Sequence, residues 1–155
     1  YTRPDYVQTV DGVDEIITND NREMQVASGY NQINFIQKVT YKPNEFWNFM
    51  YAYHYSTTSD FNRYDQLLRK RNGNLRFAEW YYGPQDWTMH HLKISHSKSN
   101  KWFDKAQFNF SYQLFEESRH NRNLNATIRN SNIENVGAFA SNFDFIKKLN
   151  SKQKL

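Results

Sequence analysis

The stretch from Phe46 to Tyr55 alternates between two kinds of side chain, and this alternation constrains the fold more than any other feature of the sequence. Successive side chains of a β-strand point to opposite faces, so a period of two predicts a strand whose faces meet different surroundings. One face is aromatic throughout, and the other is smaller and more polar. The aromatic face consists of Trp47, Phe49, Tyr51, Tyr53 and Tyr55, and the other of Asn48, Met50, Ala52 and His54.

The size of the aromatic face is compatible with two interpretations. The core of a small soluble sheet is usually built from Val, Ile and Leu, whereas a row of large rings favours a wide surface with no opposing layer. Lipid-facing strands of outer-membrane barrels have this composition, because Tyr and Trp gather where hydrocarbon meets the lipid headgroups. An aromatic-rich strand of a soluble β-sandwich would show the same pattern, so this stretch leaves both interpretations open.

The composition excludes several classes of protein. The chain of 155 residues is polar on average, with a mean hydropathy of -0.96, yet 17% of its residues are aromatic. A disordered chain would have few aromatic residues, so disorder is excluded. The net charge of +4 is small, and the densest basic cluster, Arg69-Lys70-Arg71, precedes a turn sequence. We therefore predict no nucleic-acid partner. The chain has no cysteine and no apolar run long enough for a transmembrane helix, so neither a disulfide framework nor a membrane-spanning helix is predicted.

Alternation recurs in four further segments, which predicts an all-β fold with an antiparallel meander of about five long strands. The predicted strands cover residues 26–41, 46–57, 85–97, 102–117 and 136–149, and a short strand is expected at 14–18. The third strand changes phase near His90 and His91, which predicts a β-bulge there. The remaining segments, 1–23, 58–84 and 118–135, are interpreted as polar and mostly irregular.

The lengths of the connections alternate as well. Residues 42–45 and 98–101 predict short turns, whereas the connections after the second and fourth strands are long. Bacterial outer-membrane barrels combine short periplasmic turns with long extracellular loops, and their strands need roughly 9–11 residues to cross a bilayer. The residues predicted to face lipid or to form an aromatic girdle are Trp47, Phe49, Tyr51, Tyr53, Tyr55, Trp102, Phe108, Phe110, Tyr112, Phe139, Phe143 and Phe145.

About five strands are too few to close such a barrel, since closed bacterial barrels have at least about eight. An open sheet edge in lipid would leave backbone N–H and C=O groups unpaired, at several kcal/mol each. We therefore expect residues 1–155 to be a partial barrel domain and a fragment of a longer protein that supplies the other strands.

Several segments resemble the barrel region of TonB-dependent outer-membrane receptors, most of all the branch for haem, haemoglobin or transferrin iron uptake in Bacteroidetes-type bacteria. The resemblance extends over most of residues 29–149. It is carried by Ser59-Asp-Phe-Asn-Arg-Tyr-Asp-Gln-Leu67, Glu79-Trp-Tyr-Tyr-Gly-Pro-Gln-Asp-Trp87 and Tyr112-Gln-Leu-Phe-Glu-Glu-Ser-Arg-His-Asn-Arg122, with weaker similarity at 30–38 and 142–145.

This resemblance implies a transmembrane β-barrel of about 22 strands with a plugged lumen, located in the bacterial outer membrane. The plug domain and the segment that contacts the TonB complex would precede this chain. Membrane lipid, the rest of the barrel, the plug and the TonB complex are the implied partners, with a surface lipoprotein as a further candidate. Transport of iron as haem or from a haemoprotein is the implied function.

No catalytic group of residues is recognisable, so we predict neither an enzyme nor a resident cofactor or metal; haem would be transported cargo. Adjacent His90 and His91 point to opposite faces of a strand, and with His96 they are interpreted as structural. Glu116 and Glu117 are expected to pair with Arg119 or Arg122. Aromatic and arginine side chains are common at ligand-facing surfaces. The candidate ligand-binding residues are His120, Arg119, Arg122, Tyr64, Arg69, Trp80, Tyr81 and Tyr82.

Two other functions remain open at this point. A TonB-dependent receptor could instead import a ferric siderophore, cobalamin or an oligosaccharide. A soluble β-sandwich or β-barrel that binds carbohydrate or lipid through its aromatic residues is the alternative of a different class. The soluble module differs from either receptor in where the aromatic face lies. In the module a second protein layer would cover it, whereas in a receptor it would lie against lipid.

Overall fold

A computed structural model describes residues 2–149 of the chain. With 64% strand, 3% helix and antiparallel sheets, the described chain is all-β, which confirms that prediction. The strands are β1 (Asp5–Val10), β2 (Val13–Thr18), β3 (Gln32–Tyr41), β4 (Trp47–Thr58), β5 (Phe61–Asn62), β6 (Lys70–Arg71), β7 (Asn74–Leu75), β8 (Phe77–Tyr82), β9 (Asp86–His96), β10 (Lys105–Asn123) and β11 (Asn130–Ile146), and the one-turn helix α1 is Tyr64–Leu67.

The five predicted long strands are all present as β3, β4, β9, β10 and β11. Consecutive members of this series are neighbours in one seven-stranded sheet, in which β8 and β5 follow β10 and β11 also pairs with β10. The order confirms the predicted meander. The strand ends differ from the prediction, since β3 begins at Gln32 and β10 begins at Lys105.

Asparagine side chains fix both short turns of the meander. Asn44 Oδ1 accepts hydrogen bonds from the backbone N–H groups of Phe46 and Trp47, at 3.0 and 3.1 Å. Asn100 Oδ1 does the same for Trp102 and Phe103, at 2.7 and 3.0 Å. Because this second turn uses the N–H groups of Trp102 and Phe103, the strand starts later than the alternation alone predicts.

Residues 2–23 contain more regular structure than the predicted loop with one short strand. The expected strand at 14–18 is present within β2, but it pairs with β1 in an antiparallel hairpin whose last pair is Val10 with Val13. Asp11 and Gly12 connect the two strands with φ angles of 49° and 81°. A two-residue connection with both φ angles positive matches the twist of a hairpin, and Asp-Gly suits it.

The interpretation of 58–84 and 118–135 as irregular is wrong. The first segment contains β5, α1, the β6–β7 hairpin and β8, and it buries Leu67, Leu75 and Phe77. In the second, β10 continues to Asn123 and β11 begins at Asn130. The last residues of β10 pair with β8, from Arg119 opposite Tyr82 to Asn123 opposite Phe77. β10 and β11 therefore continue into segments that are too polar to show alternation, and in β10 the backbone pairing with β8 maintains the strand.

The described chain divides into two compact units. Among the described residues, unit 1 comprises 2–33, 57–86 and 116–135, and unit 2 comprises 34–56, 87–115 and 136–149. Both long connections of the meander belong to unit 1. Both short turns belong to unit 2, whose strands are the unit 2 portions of β3, β4, β9, β10 and β11.

Unit 2 has almost no buried core among its described residues. Ala52, at 1% exposure, is its buried hydrophobic residue, whereas large apolar side chains remain open, with Phe139 at 77% and Phe143 at 63%. Among residues 2–149 no helix is long and apolar enough to cross a membrane.

Candidate functional site

One face of unit 2 carries most of its aromatic rings, and we call it the apolar face. Ring contacts connect neighbouring strands across it: Tyr41 with Phe49 at 6.4 Å, and Phe108 with Phe143 at 4.4 Å. Alternation places the other predicted rings of β4, β10 and β11 on the same face. The members of the apolar face are Phe35, Val39, Tyr41, Trp47, Phe49, Tyr51, Tyr53, Tyr55, Leu92, Ile94, Ala106, Phe108, Phe110, Tyr112, Leu114, Phe139, Phe143 and Phe145.

Trp102 differs from the other predicted girdle residues because it lies in the turn rather than on a strand. Its side chain is 74% exposed, and the Nζ atom of Lys101 lies 5.0 Å from its ring centroid. This position combines an exposed ring with a neighbouring cation.

The opposite face of unit 2 is polar, and its contacts use the residues that alternation assigns to it. Ser56 donates a hydrogen bond to Asn34 Oδ1 at 2.7 Å. Trp87 Nε1 donates to Gln113 Oε1 at 3.2 Å, and the Trp87 ring lies 6.0 Å from that of His54. Unit 2 is therefore a sheet with one aromatic and one polar face.

The histidines of β9 have aromatic and hydrogen-bonding neighbours. His90 Nδ1 lies 2.7 Å from the Tyr51 hydroxyl, and the His96 ring meets the Trp47 ring edge-on at 4.4 Å. These contacts place His90 and His96 with the apolar face, as their spacing of six residues requires. Among residues 2–149 no group of three or more His, Cys, Asp and Glu side chains is placed to hold a metal ion.

In unit 1 the side chain of Arg122 is the centre of a polar cluster. The whole residue is 8% exposed, and each of the five N–H donors of its guanidinium group has a partner. Nη1 and Nη2 bind the two carboxylate oxygens of Asp14, both at 2.8 Å, and Nε binds Glu79 at 2.8 Å. Thr9 Oγ1 and the carbonyl of Ala126 accept the remaining hydrogen bonds at 3.0 and 2.9 Å. Arg122 thereby joins three distant parts of the sequence.

The electrostatics of this cluster favour the charged forms of both partners. Hydrogen bonds from Arg122 lower the pKa of Asp14 to about 2, and the backbone N–H of Asn125 adds a further bond at 2.7 Å. Hydrogen bonding to Asp14 raises the pKa of Arg122 above its ordinary value. Arg129 extends the cluster, with Nη2 at 2.7 Å from Glu79 Oε2. An open cavity of about 510 Å³ lies beside these residues.

His120, one of the candidate ligand-binding residues, lies on β10 opposite Tyr81 of β8. The two rings stack with centroids 4.7 Å apart and an interplanar angle of 19°. Its Nδ1 atom lies 2.8 Å from Ser131 Oγ and its Nε2 atom 2.9 Å from Ser118 Oγ. Burial raises the pKa of the Tyr81 hydroxyl, and the guanidinium carbon of Arg129 is 5.8 Å from the Tyr81 ring.

Trp80 and Tyr82 contact Arg63, a residue that the sequence analysis did not single out. The Arg63 guanidinium carbon lies 5.3 and 5.4 Å from the two ring centroids. Its nitrogens also bind both carboxylate oxygens of Asp65, at 2.8 and 2.9 Å. This hydrogen bonding raises the pKa of Arg63 and lowers that of Asp65 to about 2. The sequence feature that could have indicated this ion pair is the two-residue spacing of Arg63 and Asp65.

Tyr64 and Arg69 have different surroundings from one another. Arg3 lies over the Tyr64 ring, with its guanidinium carbon 5.6 Å from the ring centroid. Arg3 is 4% exposed and donates a hydrogen bond to the carbonyl of Val26 at 2.7 Å; burial lowers its pKa. The side chain of Arg69 is exposed.

The expected pairing of Glu116 or Glu117 with Arg119 or Arg122 is wrong. Arg119 forms its ion pair with Glu134, and Arg122 forms ion pairs with Asp14 and Glu79. Glu117 instead accepts a hydrogen bond from Gln85 Nε2 at 3.1 Å. Arg119 binds a carboxylate of the neighbouring strand β11, and Arg122 binds carboxylates of β8 and of β2, all of them distant in sequence.

Comparison of the chain with protein-family models, with curated proteins and with solved structures finds no match in any of the three.

Proposed function

We propose that this chain forms part of the membrane wall of a TonB-dependent receptor of the bacterial outer membrane. One observation carries the proposal: unit 2 is a sheet with an aromatic face and a polar face, and its described residues supply almost no buried core. A sheet of this kind is stable where one face meets hydrocarbon and the other lines a polar lumen.

The exposure of the apolar face favours lipid over water. Soluble monomers rarely leave a continuous apolar patch larger than a few hundred Å² open to solvent. Phe35 and Tyr41 of β3 are 49% and 65% exposed, and Phe145 of β11 is 59% exposed. Hydrocarbon would cover these rings without a second protein layer.

The edge strands support a wall that continues on both sides. In the described chain β3 lies at one end of the sheet order, and β11 pairs with β10. In lipid, an unpaired edge costs several kcal/mol for each free backbone group. We infer that further strands of the same receptor pair with these edges in a barrel of about 22 strands around a plug.

The long connections in unit 1 are proposed to face the substrate, and the family resemblance points to iron carried as haem or in a haemoprotein. The stacked pair of Tyr81 and His120 offers an aromatic surface with an imidazole, which is a common haem ligand. Because serine hydroxyls occupy both ring nitrogens, ligation through Nε2 would exchange Ser118 for iron. Arg122 has no free donor, so it would hold the connections in place rather than bind the ligand.

One experiment tests the proposal in two stages on the full receptor. Membranes from cells that produce it are washed at alkaline pH, and the protein is expected to stay in the membrane pellet. The detergent-extracted protein is then titrated with haem. We expect a shift of the Soret absorption band that the substitution His120→Ala removes.

Ser131→Ala is the matched control, because it frees His120 Nδ1 but leaves the imidazole in place; the Soret shift should persist. Recovery of the protein in the alkaline supernatant would contradict the membrane proposal and favour the soluble carbohydrate- or lipid-binding module. If the protein stays in the membrane but the Soret band does not shift, the membrane proposal would stand and haem would be rejected as the cargo. Siderophore, cobalamin or oligosaccharide would then remain as candidates.

A further inference from the structure

The apolar face contains a groove of about 250 Å³ at the end of unit 2 that bears the short turns. Apolar atoms line it almost entirely. Its wall is built from strands β4, β9, β10 and β11 and from the turn before β10. The lining residues are Trp47, Ile94, His96, Phe103, Ala106, Gln107, Phe108, Phe143 and Phe145.

His96 supplies a buried polar atom to this apolar groove. Its Nδ1 atom is shielded from solvent and has no hydrogen-bond partner among residues 2–149. The His96 ring lies between Trp47, at 4.4 Å, and Phe103, at 5.7 Å. The ring of His96 therefore forms part of the apolar wall of the groove, and its Nδ1 atom is not open to a ligand.

His96 and Phe103 both line the groove, and the turn that joins them carries two lysines, Lys98 and Lys101. Lys98 Nζ lies 5.2 Å from the Phe46 ring centroid, and Lys101 Nζ lies 5.0 Å from that of Trp102. The acidic residue of the turn, Asp104, is already engaged by Lys147 Nζ at 3.0 Å and by the backbone N–H of Lys148 at 2.7 Å. The lysines therefore leave a positive charge next to an apolar groove.

We propose that this groove binds one acyl chain of an anionic glycerophospholipid, whose phosphate is held by Lys98 and Lys101. The inference rests on the proposed function, since it requires the apolar face to meet lipid. It goes further by assigning a lipid class to one place on that face. Charge complementarity favours an anionic over a zwitterionic headgroup.

Trp47 reports on the groove because its ring forms part of the wall. The receptor is reconstituted in phosphatidylcholine vesicles, and phosphatidylglycerol or phosphatidylcholine with brominated acyl chains is added in increasing amounts. Bromine quenches tryptophan fluorescence on contact. The emission of Trp47 is obtained by subtracting the spectrum of the Trp47→Phe variant.

We expect brominated phosphatidylglycerol to quench Trp47 at a roughly 25-fold lower mole fraction than brominated phosphatidylcholine, because two lysines contribute. Each basic residue near an anionic lipid favours association by about fivefold. Lys98→Gln with Lys101→Gln should remove the preference. The matched control is Lys93→Gln with Lys105→Gln, which removes the same charge from a cavity lined by Asn48 and Ser95; the preference should persist.

Ala106→Leu tests the groove separately, because it fills the wall while keeping both lysines. Quenching by the anionic lipid should then weaken, and unchanged quenching would overturn the proposed position of the acyl chain. Equal quenching by both lipids, unaffected by the lysine substitutions, would overturn the site but leave the membrane wall intact. Absence of quenching by either lipid would overturn both proposals.

Discussion

Replacing Arg122 by alanine is expected to release the β1–β2 hairpin from its place in unit 1, with a loss of roughly 3–5 kcal/mol in local stability. The reason is that the substitution leaves the negative charge of Asp14 buried. The Asp14 side chain is 0% exposed and that of Arg122 is 10% exposed. Without the guanidinium, Asp14 stays buried with the hydrogen bond from Asn125 and without a cation.

Amide hydrogen exchange of the full receptor, followed by mass spectrometry of peptides from residues 5–18, measures this loss. We expect exchange to accelerate by about 10²–10⁴-fold if local opening governs it. Arg122→Lys should restore only part of the protection, because an ammonium group cannot reproduce the paired bonds to Asp14. Arg69→Ala is the control, since removal of an exposed arginine usually changes stability by less than about 0.5 kcal/mol. Unchanged exchange in Arg122→Ala would show that the cluster does not hold the hairpin.

The substitution Phe110→Arg is expected to destabilise the reconstituted receptor by roughly 2–4 kcal/mol, the cost of a basic side chain on the lipid face near the middle of a bilayer. Its neighbour Asn109 points to the opposite face of β10. Asn109→Arg should therefore cost little, because the new charge would meet a polar lumen.

Urea titration in lipid vesicles compares these two variants with the unmodified receptor. Phe110→Leu is the control for loss of the ring, and it should retain most of the stability because Leu is also apolar. Phe110 is 36% exposed, so in a soluble module an arginine there would change stability by less than about 1 kcal/mol. Equal small effects at 109 and 110 would count against a lipid-facing surface.

The sequence could predict those strands whose two faces meet different surroundings. In β4, β10 and β11 the difference between the two faces repeats every second residue, so both the strands and their faces follow from the pattern. Asn44 and Asn100 likewise predict turns, because their side chains bond to the backbone within three residues.

The arrangement of unit 1 could not be predicted in the same way, because it depends on contacts between distant residues. Arg122 binds Asp14 across 108 positions and Glu79 across 43. No local spacing indicates which carboxylate an arginine selects, so Glu117 was a plausible partner. The polar end of β10 similarly shows no alternation, and its strand structure depends on pairing with β8.

Spin labels at positions 109 and 110 of the reconstituted receptor measure what each face of the sheet meets. The chain contains no cysteine, so Asn109→Cys and Phe110→Cys each add one thiol to it. If the apolar face is in contact with acyl chains, the label at 110 collides mainly with oxygen, which concentrates in hydrocarbon. The label at 109 collides mainly with a water-soluble nickel chelate. A label at 110 that is shielded from both reagents, or equally open to nickel, would contradict the membrane wall.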